Sequence, residues 1–224
     1  MPGYTVDVSD SAVIAPTQAA RTRQTTAQRE RRRRILDSAI ALAAEGGYEA
    51  VQMREVALAA GVALGTLYRY FSSKEHLLVA AMAEQVGGLR QRFIERPPRG
   101  DTPAERVVDV IRRATRALQR QPNVTTAMLK SLISTNVSAH EAVAATMQTV
   151  SREMTEIVIA AMHEGPASPR DEVVSQVVQH VWMTSLLWWV AGLAPARQVE
   201  DTTAKAVELL LGNGSRGGAT LPIS

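Results

Sequence analysis

The chain has 224 residues, of which 46% are hydrophobic, and its 25 Lys or Arg and 22 Asp or Glu give a formal net charge of +3. Cysteine is absent, which excludes disulfide bonds, thiolate metal sites and cysteine nucleophiles. The positive charge is concentrated in residues 21–80, which carry ten Lys or Arg against six Asp or Glu, as expected where a protein contacts phosphates.

The N-terminal segment predicts no folded element. Residues 1–25 have neither a basic start nor a long apolar run, so they do not fit a signal peptide and we expect an unordered arm. From Thr26 to Gly46, apolar residues recur at helical spacing behind a charge-rich first half. This pattern predicts a first helix that ends at the two glycines 46 and 47.

That first helix carries a run of charges at residues 28–34, with the letters QRERRRR. The run covers every face of a helix, so some of these side chains must be solvated. Because the run is strongly basic and begins the helix that packs behind the next two, we favour phosphate contacts from Arg31 and Arg34. A purely solvated charge run is the alternative.

Two short helices around a glycine turn follow. Residues 53–60 predict the first, Gly61 a left-handed turn, and a second helix starts near Ala63 with Leu67 and Phe71 as its inward stripe. This spacing is typical of a helix-turn-helix, although some helical hairpins have no role in DNA binding. The exposed residues beside Gly65 are rich in hydroxyl groups and include a guanidinium, which favours DNA binding.

The rest of the chain divides into further helices. Ser72 and Glu75 have the spacing of a capping box for a fourth helix, which runs to the break at residues 96–100. Thr102 to Glu105 has the same spacing with a proline, and predicts the start of a fifth helix. Gly-rich residues after Gly212 indicate an unordered tail.

The segment AVQMREVALAAGVALGTLYRYFSSKEHLL, residues 50–78, resembles the signature of the TetR family of transcriptional repressors. The resemblance implies an all-α fold of about nine helices. Residues 26–72 would form a three-helix helix-turn-helix domain that binds operator DNA, and residues 73–211 a connecting helix with a ligand-binding and dimerising body. The arm at 1–25 and the tail at 212–224 would lie outside both domains.

Nine residues are expected to contact an inverted-repeat operator, partly from the motif and partly from their exposure and charge: Arg31, Arg34, Leu64, Gly65, Thr66, Tyr68, Arg69, Tyr70 and Lys74. The chain departs from the family pattern at two helix starts. It has Gln52 and Ala63 where the family often has Thr and Ser, which removes two hydroxyls that could cap a helix or touch phosphate.

The segments GGYEAVQMR, GTLYRYF and VWMTSLLWWVAG are also similar to members of the family that repress lipid or sterol degradation. This implies release from DNA by a small apolar ligand, with a steroid or fatty acyl-CoA thioester as the candidate. Flexible methionine side chains suit such a guest, although a core filled with methionine is the plainer interpretation. The residues expected to bind the ligand are Met128, Leu132, Met147, Met154, Arg116 and Trp188.

No charge lies between Glu172 and Arg197, a stretch long enough to cross a bilayer. Its polar residues Gln176, His180 and Thr184 form one stripe, which favours an amphipathic dimer helix with Val181 and Leu186 at the interface. No catalytic, metal-binding or cofactor-binding motif is present. We therefore expect a cytoplasmic homodimer without enzymatic activity, and keep a helical adaptor for lipids or proteins as the alternative function.

Overall fold

The computed structural model describes residues 18–134 and 140–212. Within these ranges the chain forms helices and no strands, which confirms the all-α class. The nine helices are α1 (Gln18–Ala50), α2 (Met53–Ala59), α3 (Leu64–Tyr70), α4 (Lys74–Glu95), α5 (Pro103–Gln119), α6 (Pro122–Ile133), α7 (His140–Met162), α8 (Pro169–Val190) and α9 (Ala196–Leu211).

Helix α1 begins earlier than we expected, whereas its regular part ends where the glycines predicted. It begins at Gln18, so residues 18–25 are helical and the prediction of an unordered arm is wrong for them. The remaining arm and the tail after Gly212 lie outside the described residues. Gly47 has φ +66, and the backbone kinks at the glycine pair before it continues to Ala50. Both glycines have non-helical backbone angles, so the regular part of α1 ends at the glycine pair, as predicted, and only a short turn continues to Ala50.

Helices α2 and α3 cross closely around Gly61, whose φ of +63 is readily adopted only by glycine. Leu67 and Phe71 are buried, as their spacing predicted. The caps of these two helices are Gln52 and Ala63, and neither forms a side-chain cap bond, in agreement with the departures noted in the sequence. We refer to α1–α3, the part of the chain expected to bind DNA, as the DNA-binding unit.

The start of α4 differs from the prediction by one residue. Ser73, and not Ser72, is the N-cap, and its hydroxyl accepts a hydrogen bond from the amide of His76 at 3.1 Å. With Ser73 as the cap, Glu75 is the second and not the third residue of α4, so the predicted capping box does not form, and its carboxylate accepts a hydrogen bond from Tyr48. At α5 the predicted capping box of Thr102 is confirmed.

Buried apolar side chains form two clusters, and α4 passes through both. Residues 77–82 of α4 belong to the first cluster, together with the core of the DNA-binding unit and parts of α6 and α7. Leu89 and Phe93 belong to the second, with α5, α8 and α9. Gly87 and Gly88 lie on α4 between the two groups. One helix therefore connects the core behind the DNA-binding surface with the core of the C-terminal body.

Helix α8 is only partly as predicted. Leu186 is 1% exposed and packs in its own chain's core, so its placement at a dimer interface is wrong. The exposed apolar residues of this helix are Val173, Val177 and Trp188. Among the helices that the structure describes, none combines the length and hydropathy needed to span a bilayer.

Candidate nucleic-acid interface and effector cavity

The outer face of α3 presents most of the predicted DNA contacts. The side chain of Tyr68 is 49% exposed, Arg69 is also exposed, and Thr66 and Leu64 are half-buried at the edges of this face. Gly65 is exposed, and a Cβ added there would meet no atom within 4 Å. The absence of a side chain at Gly65 therefore has no structural reason within the protein, whereas it would allow a base or sugar to come close.

Tyr70 lies differently from its neighbours. Its ring packs half-buried against the first apolar cluster, 6.3 Å from the ring of Phe71. Its hydroxyl is buried and has no hydrogen-bond partner among the described residues. In this conformation the hydroxyl does not reach the exposed face, so a DNA contact by Tyr70 needs the ring to turn outward.

The arginine run on α1 has members with different environments. Arg32 forms an ion pair with Glu84 of α4, and its guanidinium lies 5.5 Å from the ring centroid of Phe71. Arg33 pairs with Asp37 on the same helix at 3.7 Å. In the part of the chain that the structure describes, the side chains of Arg31 and Arg34 form no ion pair, so both guanidinium groups are available for phosphates.

Lys74 is tethered to the protein and is only half exposed. Its ammonium lies 3.7 Å from the ring centroid of Tyr48 and donates a hydrogen bond to the Tyr48 carbonyl at 3.3 Å. The Tyr48 hydroxyl donates to Glu75 at 2.6 Å. Burial and this hydrogen bond raise the pKa of Tyr48 to about 12. Burial raises the pKa of Glu75 as well, but the hydrogen bond from Tyr48 opposes it and the net shift is downward.

The same tyrosine links the DNA-binding unit to α6. Lys130 lies 4.9 Å from the ring centroid of Tyr48 and pairs with Glu49 at 2.7 Å, which lowers the pKa of that carboxyl. Asn123, near the start of α6, donates to the carbonyl of Ala44 at 3.0 Å. No local pattern predicted this cluster because Lys130 and Glu49 are 81 positions apart.

A cavity of about 610 Å³ lies between helices α4 to α8. Its wall takes side chains from both apolar clusters, for example Met82 and Met128 from the first and Leu89 and Met154 from the second. The size is within the range of small-molecule sites, which is about 300–1,000 Å³. Three of the residues predicted to bind a ligand, Met128, Met147 and Met154, come together on this wall.

The other three predicted ligand residues lie outside the cavity wall. Arg116 pairs with Glu200 of α9 at 3.3 Å, so its charge is compensated elsewhere. Trp188 is 52% exposed and lines a separate groove beside the start of α9. Leu132 is half-buried between the two apolar clusters. Helical spacing placed these residues on suitable helices but did not fix which neighbour each side chain would meet.

Several wall residues were not foreseen. Trp182 presents its ring to the cavity, and its indole nitrogen donates to Thr115 at 2.9 Å, which holds the ring in place. The amide of Gln179 donates to Thr155 at 2.9 Å and to Ser175 at 3.1 Å. These hydrogen bonds fix polar groups around a largely apolar space. No cluster of candidate metal ligands occurs among the described residues.

Comparison with known proteins gives consistent matches over both halves of the chain. Residues 35–81 match the profile of "Bacterial regulatory proteins, tetR family", and residues 100–210 match "Tetracyclin repressor-like, C-terminal domain". The HTH-type transcriptional repressor KstR of Rhodococcus jostii is 42% identical over 206 residues, which cover 92% of this chain and 94% of that protein. KstR of Mycobacterium tuberculosis is 39% identical over 187 residues, which cover 84% of this chain and 83% of that protein.

Solved structures are similar as well. A TetR transcriptional regulator from Rhodococcus sp. RHA1 has a TM-score of 0.74 and 35% identity, with 84% of this chain and 99% of that chain covered. Thermus thermophilus FadR in complex with lauroyl-CoA has a TM-score of 0.61 and 22% identity, with 86% of this chain and 100% of that chain covered. At this low identity, the similarity to FadR supports the fold alone.

Proposed function

The chain belongs to the TetR family of transcriptional regulators, and from this premise we propose that it represses transcription by binding an inverted-repeat operator as a homodimer. Under this proposal residues 26–72 bind DNA and residues 73–211 bind ligand and form the dimer. Two copies are needed because one recognition helix contacts only a few base pairs. A protein acting on chromosomal DNA in a bacterium works in the cytoplasm.

The observation that carries the DNA assignment is the face of α3. It combines an exposed tyrosine hydroxyl, an exposed guanidinium and an open glycine within one short helix. Phosphate contacts come from Arg31 and Arg34, which form no ion pair with any described residue, and they position the protein. Thr66 and Tyr68 provide specificity through base edges.

We further propose that a small apolar ligand in the cavity releases the operator, and that a steroid or fatty acyl-CoA thioester is the ligand class. The cavity wall is rich in methionine and contains the ring of Trp182, which suits an elongated apolar guest. The solved complex of FadR with lauroyl-CoA, a protein of the same fold, supports the acyl-CoA thioester within this class.

The release mechanism follows from α4. This helix lines the cavity with Met82 and Leu89, and it is joined to the DNA-binding unit through the Arg32–Glu84 ion pair. A ligand that separates the walls shifts α4 and changes the distance between the two recognition helices of the dimer. Ligand and operator then oppose each other, and a tenfold loss of operator affinity requires about 1.4 kcal/mol of differential ligand binding.

The test is footprinting of the purified protein on its own upstream region, followed by the variants Thr66→Ala and Tyr68→Ala. We expect both variants to lose the footprint while circular dichroism and dimer mass stay unchanged. Gln148→Ala, an exposed position on α7, is the matched control and should keep the footprint. Retained site preference in both α3 variants would overturn the DNA assignment. Weak binding without any site preference by the unmodified protein would favour a helical adaptor.

A further inference from the structure

Only three charged side chains lie on the described part of the cavity wall: Glu84, Arg92 and Arg120. The charge of Glu84 is compensated because its carboxylate pairs with Arg32. Arg92 and Arg120 form no side-chain hydrogen bond or ion pair within residues 18–134 and 140–212. The wall therefore has two uncompensated positive charges beside a largely apolar space.

Two neighbouring arginines that do not line the cavity are neutralised. Arg90, on the same helix as Arg92, pairs with Glu156 at 3.3 Å. Arg116, one turn before Arg120, pairs with Glu200 at 3.3 Å. Of these four arginines, the two that line the cavity are the two without a side-chain partner among the described residues.

The backbone beside Arg92 leaves room for its side chain. A Cβ added at Gly88 would lie 3.5 Å from Nη1 of Arg92, so the guanidinium folds back along α4 over the glycine. Both residues belong to the cavity wall. Arg92 and Arg120 are both exposed and both line the cavity, so their charges lie at its solvent-facing rim.

We propose that Arg92 and Arg120 bind the anionic group of the ligand, so that the cavity selects amphipathic anions over neutral lipids of the same length. This inference deepens the proposed function and rests on it. Guanidinium groups form strong charge-assisted hydrogen bonds with both carboxylates and phosphates. The anionic group can therefore be the carboxylate of a lipid acid or the phosphates of a CoA thioester, and the experiment distinguishes them.

The test is calorimetric titration of the full-length dimer with dodecanoyl-CoA, dodecanoate and dodecanol. We expect at least one of the two anions to bind about tenfold more tightly than the alcohol, the size of one charge-assisted interaction. Arg92→Gln and Arg120→Gln should each weaken the anion about tenfold and leave the alcohol unchanged. Arg90→Gln is the matched control on the same helix and should not change anion binding.

The two anions identify the source of the charge, because the carboxylate is present only in dodecanoate and the phosphates only in the thioester. Three results would each overturn the inference. Dodecanol could bind as tightly as both anions, Arg92→Gln and Arg90→Gln could lose the same affinity for the anion, or none of the three probes could bind. Operator binding without ligand is measured on the same samples. If the unmodified protein binds its operator but shows no preference for anions, the inference fails and the repressor assignment stands. If it binds no operator, the proposed function fails.

Discussion

Arg32 of the DNA-binding unit donates to the carboxylate of Glu84, which is itself part of the cavity wall. A single ion pair thus joins the helix behind the recognition surface to the space proposed for the ligand. The two side chains are 38% and 58% exposed, so the pair contributes at most about 1 kcal/mol to stability. We expect the pair to transmit a shift of α4 to α1 because of where it lies, and not because of its strength.

For this reason Glu84→Gln should change regulation more than stability. We expect the denaturation midpoint to shift little, while saturating ligand releases the operator less completely because α4 is less firmly joined to α1. Fluorescence anisotropy of labelled operator gives the operator affinity with and without ligand, and the ratio of the two affinities is the coupling factor. Asp37→Asn, which affects a pair within α1 alone, is the control. A coupling factor equal to that of the unmodified protein would contradict this role.

Gly65→Ala should affect stability and operator binding in opposite directions. The position is helical with open space around it, so alanine fits and stabilises the helix by about 0.5–1 kcal/mol. If DNA approaches the backbone there, the added methyl group obstructs it and affinity falls at least tenfold. Denaturation and anisotropy measure the two effects. Gly212→Ala, at the end of α9 and equally open, should leave operator affinity unchanged, and unchanged affinity in Gly65→Ala would exclude close approach.

Tyr70→Phe should stabilise the free protein. The buried hydroxyl of Tyr70 lacks a partner among the described residues, and an unsatisfied buried polar group costs about 1–3 kcal/mol. Removing the hydroxyl should therefore raise the free energy of unfolding by about 1 kcal/mol. Tyr68→Phe, at an exposed position, should leave stability unchanged and reduce operator affinity. A loss of stability in Tyr70→Phe would show that the hydroxyl has a partner in solution.

Much of the fold was predictable because it depends on local patterns. Apolar spacing, glycine turns and capping residues act within a few positions, and they gave the helix-turn-helix and the capping box of Thr102. The prediction failed where the environment of a residue depends on a partner far away in the sequence. Glu75 was expected to close a capping box with Ser72, but its carboxylate accepts a hydrogen bond from Tyr48, 27 positions away. Leu186 is buried by its own chain, which helical spacing on α8 does not distinguish from burial by a second subunit.

The cavity shows the same limit. Methionines on α6 and α7 were expected near a ligand, and three of them line the wall. Arg116 was expected to meet the ligand, but Glu200 on α9 binds it. Charge and apolarity of single helices are local properties, whereas the residues that face a common space are determined by how five helices pack.

Stability should fall at high pH through Tyr48. Its pKa is raised from the ordinary value of 10.0 to about 12 in the folded chain, by burial and by the hydrogen bond to Glu75. The unfolded chain therefore loses this proton first, and the stabilisation present below pH 10 is lost as the pH rises towards 12. Thermal unfolding between pH 9 and 12 should show a steeper fall for the unmodified protein than for Tyr48→Phe. Parallel curves would contradict the shift.

The glycine pair on α4 leads to the last prediction, that Gly87→Ala uncouples ligand from operator. Gly87 and Gly88 lie mid-helix between the two apolar clusters, and paired glycines are a common place for a helix to bend. A Cβ at Gly87 would lie 4.0 Å from Oε2 of Glu153, an ordinary contact, so alanine fits without displacing a neighbour.

The added methyl group should stiffen α4 and stabilise the protein by about 0.5–1 kcal/mol. A stiffer α4 bends less when the cavity fills, so we expect ligand affinity within about threefold of the unmodified protein, far less than one charge-assisted contact contributes. The ligand should then release much less operator. Calorimetry measures the ligand affinity and anisotropy the release of operator, with Gly212→Ala as the control for a glycine substitution elsewhere.

Gly87 was chosen because a Cβ at Gly88 lies near Arg92 and could disturb the proposed anion site. Full release of operator by Gly87→Ala at saturating ligand would show that α4 moves as a rigid rod.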